Sequence, residues 1–200
     1  MGYDLYWVRV PADLAARAEL ALAAAEEVSK RADADPQTRD AAWEAYQRAQ
    51  PYYFRLGNWG MGLRCDLMLE FGMVVPSAVR PEDWPQPEQF GTTVEKVTTE
   101  CLDAGGGMRK PTSPAVAAFL RARHRFLREH LAERPGIPLH KLCSNDGWVV
   151  TPADLRDALR VAPEVASYEA EDGIRKPLDR WIAWLEFLRG GGTHGGIEVW

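Results

Sequence analysis

Residues 52–66 read Tyr52-Tyr53-Phe54-Arg55-Leu56-Gly57-Asn58-Trp59-Gly60-Met61-Gly62-Leu63-Arg64-Cys65-Asp66. The aromatic run before Gly57 predicts a β-strand, and the apolar residues that recur at helical spacing after Gly62 predict an α-helix. The glycines between them predict a loop. A strand, a glycine loop and a helix in this order favour a domain that packs helices against a sheet.

The same stretch holds the densest cluster of candidate binding residues. Backbone N–H groups at the start of a helix carry partial positive charge, and glycines let a ligand approach the main chain closely. Two arginines near the glycines would add charge-assisted contacts. The candidate anion-binding residues are Arg55, Gly57, Asn58, Gly60, Gly62 and Arg64.

A structural interpretation of the glycines competes with this binding interpretation. Their order is G-x-x-G-x-G, which differs from the dinucleotide fingerprint G-x-G-x-x-G and lacks the Lys-Ser/Thr ending of a phosphate-binding P-loop. We therefore favour a tight turn and a close contact between helix and sheet, with Trp59 filling the core. The sequence leaves open whether the loop is a site or only a turn.

Both ends of the chain predict strands. Tyr3, Leu5 and Trp7 alternate with their neighbours at the strand period, and residues 197–200 have strand composition. Pairing of these two segments would order both termini. Residues 138–143 and 148–150 flank a turn-forming Ser-Asn-Asp-Gly segment and predict a hairpin.

Helices account for most of the remaining chain. Residues 12–31 are rich in alanine, with one apolar stripe, and a proline after an acidic cap opens a helix at 36–50. A capping box at Thr151 and Asp154 starts another helix, and Gly190-Gly191-Gly192 is expected to end the last one. The predicted fold is one α+β domain over residues 1–200, with a small, mostly antiparallel sheet of about five strands covered by about six helices.

Composition bounds the class of protein. The 200 residues are 46% hydrophobic and 26% charged, with a net charge of −5, values typical of a soluble globular domain. No apolar run approaches the roughly 18 residues of a membrane-spanning helix, so we expect no membrane contact. The amino end lacks a basic leader and an apolar run, so we expect a cytoplasmic protein. The negative charge argues against nucleic acid as a partner.

Catalytic and metal motifs are missing from the sequence, and we assign no catalytic residue, metal ligand or cofactor. Three cysteines without a C-x-x-C pair predict reduced, mostly buried thiols rather than a disulfide framework. Four histidines show no metal-ligand spacing, and no G-x-S-x-G elbow occurs. Whether the protein is an enzyme stays open at this point.

One segment is basic, although the chain as a whole carries a negative net charge. Residues 105–134 hold seven basic residues against two acidic ones. Arg121, Arg125 and Arg128 would form one stripe on a helix, opposite its apolar face. Such a stripe can contact nucleic-acid phosphates, although a solvated face paired with acidic neighbours is the favoured interpretation.

Eight tryptophans are the most informative composition feature. Trp59 and Trp148 lie at predicted turns, where an indole can anchor the core, stack on a ligand or contact a protein partner. Trp59 and Trp148, together with the arginine stripe, are therefore candidate interaction residues.

Three segments resemble sequences of small uncharacterised proteins from GC-rich bacteria and their phages. They are Gly2-Tyr3-Asp4-Leu5-Tyr6-Trp7, the stretch Tyr53 to Met61, and Gly136 to Trp148. The resemblance implies a single-domain intracellular protein, and it carries no activity and no site residue with it.

The leading functional hypothesis from the sequence is a non-catalytic binding or protein-interaction domain. The first alternative is an enzyme or sensor for a phosphorylated or otherwise anionic small molecule bound at Gly57 to Gly62. The second alternative is nucleic-acid binding through the basic helix. The expected partners are thus a protein or a small anionic ligand.

Overall fold

The computed structural model describes residues 2–31, 33–76, 83–102, 109–129, 134–170 and 175–200. The chain divides into two units. Met1–Pro76 with Ala132–Trp200 forms one, called here the sheet unit, and Ser77–Leu131 forms the helical unit. A single domain over the whole chain stays a prediction, because two such units can belong to one domain.

The elements confirm the α+β class. In chain order the sheet unit contains β1 (Gly2–Trp7), α1 (Ala12–Lys30), α2 (Pro36–Ala49), β2 (Tyr53–Gly57), α3 (Asn58–Glu70), β3 (Val74–Val75), β4 (Ile137–Pro138), β5 (Trp148–Val150), α6 (Pro152–Val161), β6 (Ser167–Glu169), β7 (Arg175–Pro177), α7 (Trp181–Thr193) and β8 (Ile197–Val199). The labels α4 and α5 belong to the helical unit, where α4 is Val94–Cys101 and α5 is Pro114–Glu129. Short 3-10 helices cover Pro87–Phe90 and Leu139–Lys141.

The central sheet has four antiparallel strands in the order β2-β1-β8-β5. Strand β8 pairs with β1, with Leu5 opposite Val199 and Trp7 opposite Ile197, which confirms the predicted pairing of the chain ends. Side-chain alternation buries Leu5 and Trp7 and leaves Tyr6 outside. The described part also holds two small sheets, a parallel pair β3-β4 and an antiparallel pair β6-β7.

The core of the sheet unit combines the inner face of the central sheet with α3, α6 and α7. Phe54 from β2 meets Trp184 of α7 edge to face, with ring centroids 5.4 Å apart. The indole nitrogen of Trp184 in turn donates to the Met68 sulfur of α3 at 3.4 Å. Aromatic packing therefore joins the edge strand to both helices.

The helix starts follow the caps that the sequence predicts. The Asp35 carboxylate accepts from the Thr38 amide at 2.9 Å and opens α2. Thr151 and Asp154 form a reciprocal capping box at α6. These side chains satisfy amide groups that a helix start leaves without an intrahelical partner.

Two local predictions are wrong. The expected hairpin over 138–150 does not form, because β4 pairs with β3 whereas β5 pairs with β8. The last helix does not end at its glycines, since α7 runs on to Thr193. Gly190 and Gly191 face Trp7 and Ile197 so closely that no side chain would fit, and this tight packing outweighs their low helix propensity.

The helical unit is built around α5. Its apolar stripe, with Val116, Phe119 and Leu127 buried, agrees with the predicted helical spacing. Phe90, at the end of the 3-10 helix, lies against Phe119 with ring centroids 6.0 Å apart. Over the described ranges of both units, no helix is both long and apolar enough to span a bilayer.

Candidate functional site

A groove lies beside the edge strand β2, and we call it the edge groove. The second half of α2, strand β2 and the turn before α7 border it. It encloses about 430 Å³, within the range of small-molecule sites. Its lining residues are Trp43, Tyr46, Gln47, Gln50, Tyr53, Arg55 and Arg180.

Helix α2 supplies one wall of the edge groove. Trp43 and Tyr46 lie edge to face, with ring centroids 5.8 Å apart. The Trp43 indole donates to the Ser29 hydroxyl of α1 at 3.1 Å, and the Gln50 amide donates to the Tyr46 hydroxyl at 2.7 Å. These bonds hold two aromatic rings beside the cavity, and rings in such positions can stack on a flat ligand.

Strand β2 supplies the opposite wall. Because side chains alternate along a strand, Tyr53 and Arg55 lie on the opposite face from the buried Phe54 and Leu56. The Tyr53 hydroxyl donates to the carboxylate of Asp4, and the Arg55 Nε lies 3.8 Å from the same carboxylate. Burial, together with this hydrogen bond to Asp4, raises the pKa of Tyr53 to about 12. Tyr53 therefore remains a neutral donor at physiological pH.

Arg180 also lines the groove and has an unusual backbone conformation. Its φ of 58° and ψ of 24° lie in the left-handed region, which costs a non-glycine residue on the order of 1 kcal/mol. Its guanidinium lies 4.4 Å from the centre of the Phe54 ring. The Trp184 amide donates to the Arg180 carbonyl at 2.9 Å, so the first turn of α7 helps to hold this conformation.

Arg64 lies beneath this turn and supports it. Its side chain is buried, with 5% exposed, and donates to the carbonyls of Gly60 at 3.1 Å and Asp179 at 2.8 Å. Its Nε has no hydrogen-bond partner among the residues that the structure describes. Burial, and then the nearby charge of Arg180, lowers the pKa of Arg64 to about 10, while Asp179 opposes the change. Arg64 thus anchors the Asp179–Arg180 turn.

The glycine segment is not the loop that the sequence predicts. Gly57 ends β2, and α3 begins at Asn58, so that Gly60 and Gly62 are helical. None of these glycines has a positive φ, and a Cβ on Gly57 or Gly62 would meet nothing within 4 Å. The expected tight turn and close helix contact are therefore wrong, because burial of α3 outweighs the low helix propensity of glycine.

The six predicted anion-binding residues are only partly brought together. Arg55 lines the edge groove, whereas Arg64 is buried below it and directs both terminal nitrogens at main-chain carbonyls. Gly57, Asn58 and Gly62 are exposed at the start of α3. The structure thus shifts the candidate site from the glycines to the groove beside them, and anion binding there stays a prediction.

The two candidate tryptophans have opposite environments. Trp59 is 70% exposed and meets Tyr168 edge to face, with centroids 5.8 Å apart, so the expectation that it fills the core is wrong. Its position in the first turn of α3 directs it away from the sheet. Trp148 is 1% exposed and packs against His140. Trp148 is therefore a core residue rather than a surface contact, because β5 turns it inward.

The predicted arginine stripe lies on α5 in the helical unit. Arg121 and Arg125 are exposed, and Arg128 is half-buried with a terminal nitrogen 3.5 Å from the His124 ring. Two of the three guanidiniums thus face solvent. Nucleic-acid binding through this stripe stays a prediction.

Sequence reasoning missed most of the groove. Trp43, Tyr46 and Gln47 carry a weak signal, because they share one edge of α2. Arg180 carries none, since its role depends on a backbone conformation. In the described part of the chain, no three His, Cys, Asp or Glu side chains are close enough to hold a metal ion. Comparisons with protein-family models, with curated proteins and with solved structures found no match to this chain.

Proposed function

We propose that this chain is a non-catalytic binding protein whose edge groove takes a small aromatic anion. The placement of Arg180 carries the proposal. A strained arginine backbone persists where its surroundings hold it, and such residues cluster at ligand sites. Here the residue with the strained backbone, Arg180, lines the same groove as Arg55. The net charge of the chain is −5, yet the charged groups of the lining are two arginines.

The chemistry of the walls supports this class of ligand. Trp43, Tyr46 and Tyr53 offer ring faces and edges to a flat ligand, and two guanidiniums offer charge-assisted hydrogen bonds to a carboxylate or phosphate. Gln47 and Gln50 add amide donors and acceptors. Arginine, amide and aromatic groups suit binding better than proton transfer at neutral pH, which supports a binding role.

The probes for this proposal are adenosine monophosphate and salicylate, which pair a ring with a phosphate or a carboxylate. Adenosine lacks the charge and inorganic phosphate lacks the ring. We expect at least one of the first two to raise the melting temperature, because a ligand of the folded state alone stabilises it. We expect little effect from adenosine or phosphate. No shift with any probe at millimolar concentration would defeat the proposal.

The variant Arg180→Gly should lower the ligand affinity while it leaves the stability of the fold nearly unchanged. Glycine adopts the left-handed backbone without strain, while the cation–π contact with Phe54 is lost, so we expect unfolding free energy to change by less than about 1 kcal/mol. Loss of the guanidinium should weaken binding by tenfold or more, as should Arg55→Gln. Calorimetric titration of each variant with the ligand measures the affinity. The control is Arg17→Gln, an exposed arginine on α1 outside the groove, and equal affinity in all three variants would contradict the assignment.

Trp59 supports a second candidate function, contact with a protein partner. An indole that is 70% exposed on a helix can anchor an interface. We expect Trp59→Ala to change unfolding free energy by less than about 0.5 kcal/mol in a denaturant titration. A photo-crosslinking residue at position 59 should capture a protein that the same residue at exposed Leu20 of α1 does not. Identical products at both positions would remove this candidate.

We also propose a cytoplasmic location. All three cysteines are free thiols, as is usual for proteins in reducing compartments.

A further inference from the structure

A second cavity adjoins the edge groove in the sheet unit. It encloses about 330 Å³, which also lies within the range of small-molecule sites. Four residues line both spaces, namely Gln47, Gln50, Tyr53 and Arg180. The two cavities are therefore neighbours, and a ligand that extends past these four side chains would enter both.

Three aromatic side chains form the inner lining of the second cavity. Trp7, Phe54 and Phe187 line it, and all three are buried. The Phe187 ring stacks on Trp7 with centroids 6.3 Å apart and lies tilted against Phe54 with centroids 5.4 Å apart. Aromatic faces attract cations and repel anions. This lining therefore suits an alkyl chain or a positively charged group better than a second anionic group.

The second cavity also has an acidic side chain, which the edge groove lacks. Among the described residues, Glu186 is the one carboxylate that lines either space. Both Glu186 and Arg48, the other charged residue that only the second cavity adds, are exposed. Neither forms an ion pair within the part of the chain that the structure describes. The Glu186 carboxylate is thus available to a ligand.

Arg180 and Glu186 belong to one helix start, which sets their spacing. Arg180 immediately precedes α7, and Glu186 lies in the second turn of α7. With a rise of 1.5 Å per residue, the two backbone positions are about 9 Å apart along the helix axis. A benzene ring with a carboxylate at one end and a short aminoalkyl chain at the other has a similar length.

We propose that the ligand of the edge groove also carries a protonated amine, which enters the second cavity and pairs with Glu186. This inference rests on the proposed function, since it requires the anionic end of the ligand to lie at Arg55 and Arg180. The ammonium group donates charge-assisted hydrogen bonds to the Glu186 carboxylate. The ligand class is thus an aromatic zwitterion, and Glu186 selects it because a carboxylate repels a second anionic group.

A matched pair of compounds tests for the amine. 4-(2-Aminoethyl)benzoate carries an amine that is protonated at pH 7, whereas 4-(2-hydroxyethyl)benzoate has nearly the same size and a neutral hydroxyl. We expect the wild type to bind the amine about five- to tenfold more tightly in calorimetric titration, because an exposed charge-assisted hydrogen bond contributes about this much. The difference should shrink at high salt, which screens exposed charges.

Glu186→Gln should change the binding of the two compounds differently. It removes the partner of the amine, so the two compounds should bind with affinities that agree within about twofold. The hydroxyl compound should bind as tightly as to the wild type or slightly more tightly, since a negative charge has left the second cavity. Glu44→Gln, which removes an exposed carboxylate of α2 that lines neither cavity, is the control and should keep the wild-type preference.

Salicylate, measured beside the two compounds, separates this inference from the proposed function. If salicylate and both compounds fail to bind, the proposed function fails and this inference fails with it. If salicylate binds but neither compound does, or if the two compounds bind the wild type equally, this inference alone is overturned. A preference for the amine that persists in Glu186→Gln would overturn it as well.

Discussion

Gly190→Ala should lower the free energy of unfolding by about 3 kcal/mol, although alanine is the better helix former. A Cβ at this position would overlap the indole of Trp7. The indole has little freedom to move, because its nitrogen donates to the Phe187 carbonyl at 3.0 Å and its ring stacks on His194 with centroids 4.6 Å apart. Relief of the overlap would therefore require α7 to move off the sheet.

Gly192→Ala is the matched control for this substitution. It lies in the same helix, and its nearest neighbour would be the Leu155 Cβ at 3.9 Å, an ordinary contact. Alanine there should raise the free energy of unfolding by about 0.5–1 kcal/mol, since it removes the entropy cost of glycine. Urea denaturation of the two variants measures both values. Effects of the same sign would contradict the close packing of α7 on Trp7.

Asp154→Ala should lower the free energy of unfolding by about 3–5 kcal/mol, because it leaves the buried charge of Lys141 without its partner. The Lys141 ammonium is fully buried and donates to the Asp154 carboxylate at 2.8 Å. The same carboxylate accepts from the Thr151 amide at 2.9 Å and completes the capping box of α6. One substitution thus removes an ion pair and a helix cap, and denaturant titration measures the sum.

The double variant Lys141→Met with Asp154→Ala separates the two losses. This double variant buries no ion, so most of the stability that Asp154→Ala loses through the broken ion pair should return. Its free energy of unfolding should then lie about 1 kcal/mol below that of the wild type, because the helix cap is still missing. A double variant as unstable as Asp154→Ala would show that the lone lysine is not the cause.

The pH dependence of Asp154→Ala has a definite sign. Burial lowers the pKa of Lys141, and Asp154 opposes that change. Without Asp154 the folded-state pKa falls further below the unfolded value, so the unfolded chain binds more protons in that interval. The variant should therefore gain stability relative to the wild type as pH rises through the folded-state pKa toward 10.5, the ordinary value for lysine. A constant deficit across this range would contradict the prediction.

Local features of the sequence predict local structure well. The alanine-rich stripe of α1, the acidic cap of α2 and the capping box at Thr151 and Asp154 involve residues three or four positions apart, so the chain itself brings them together. The alternation of Tyr3, Leu5 and Trp7 likewise predicted the strand β1, in which Leu5 and Trp7 are buried. Composition and these elements sufficed for the α+β class.

The conformation of the glycines and the location of the candidate site could be learned only from the tertiary structure. Whether Gly60 lies in a loop or a helix depends on the burial of α3, and whether Gly190 ends a helix depends on Trp7, a residue at the other end of the chain. The edge groove likewise joins α2 and β2 to Arg180. The sequence by itself determined most of the helices and the strands β1, β2 and β8, because periodicity and caps act over a few residues. Packing alone decided which distant side chains share a cavity or a hydrogen bond, because those contacts join positions with no local pattern in common.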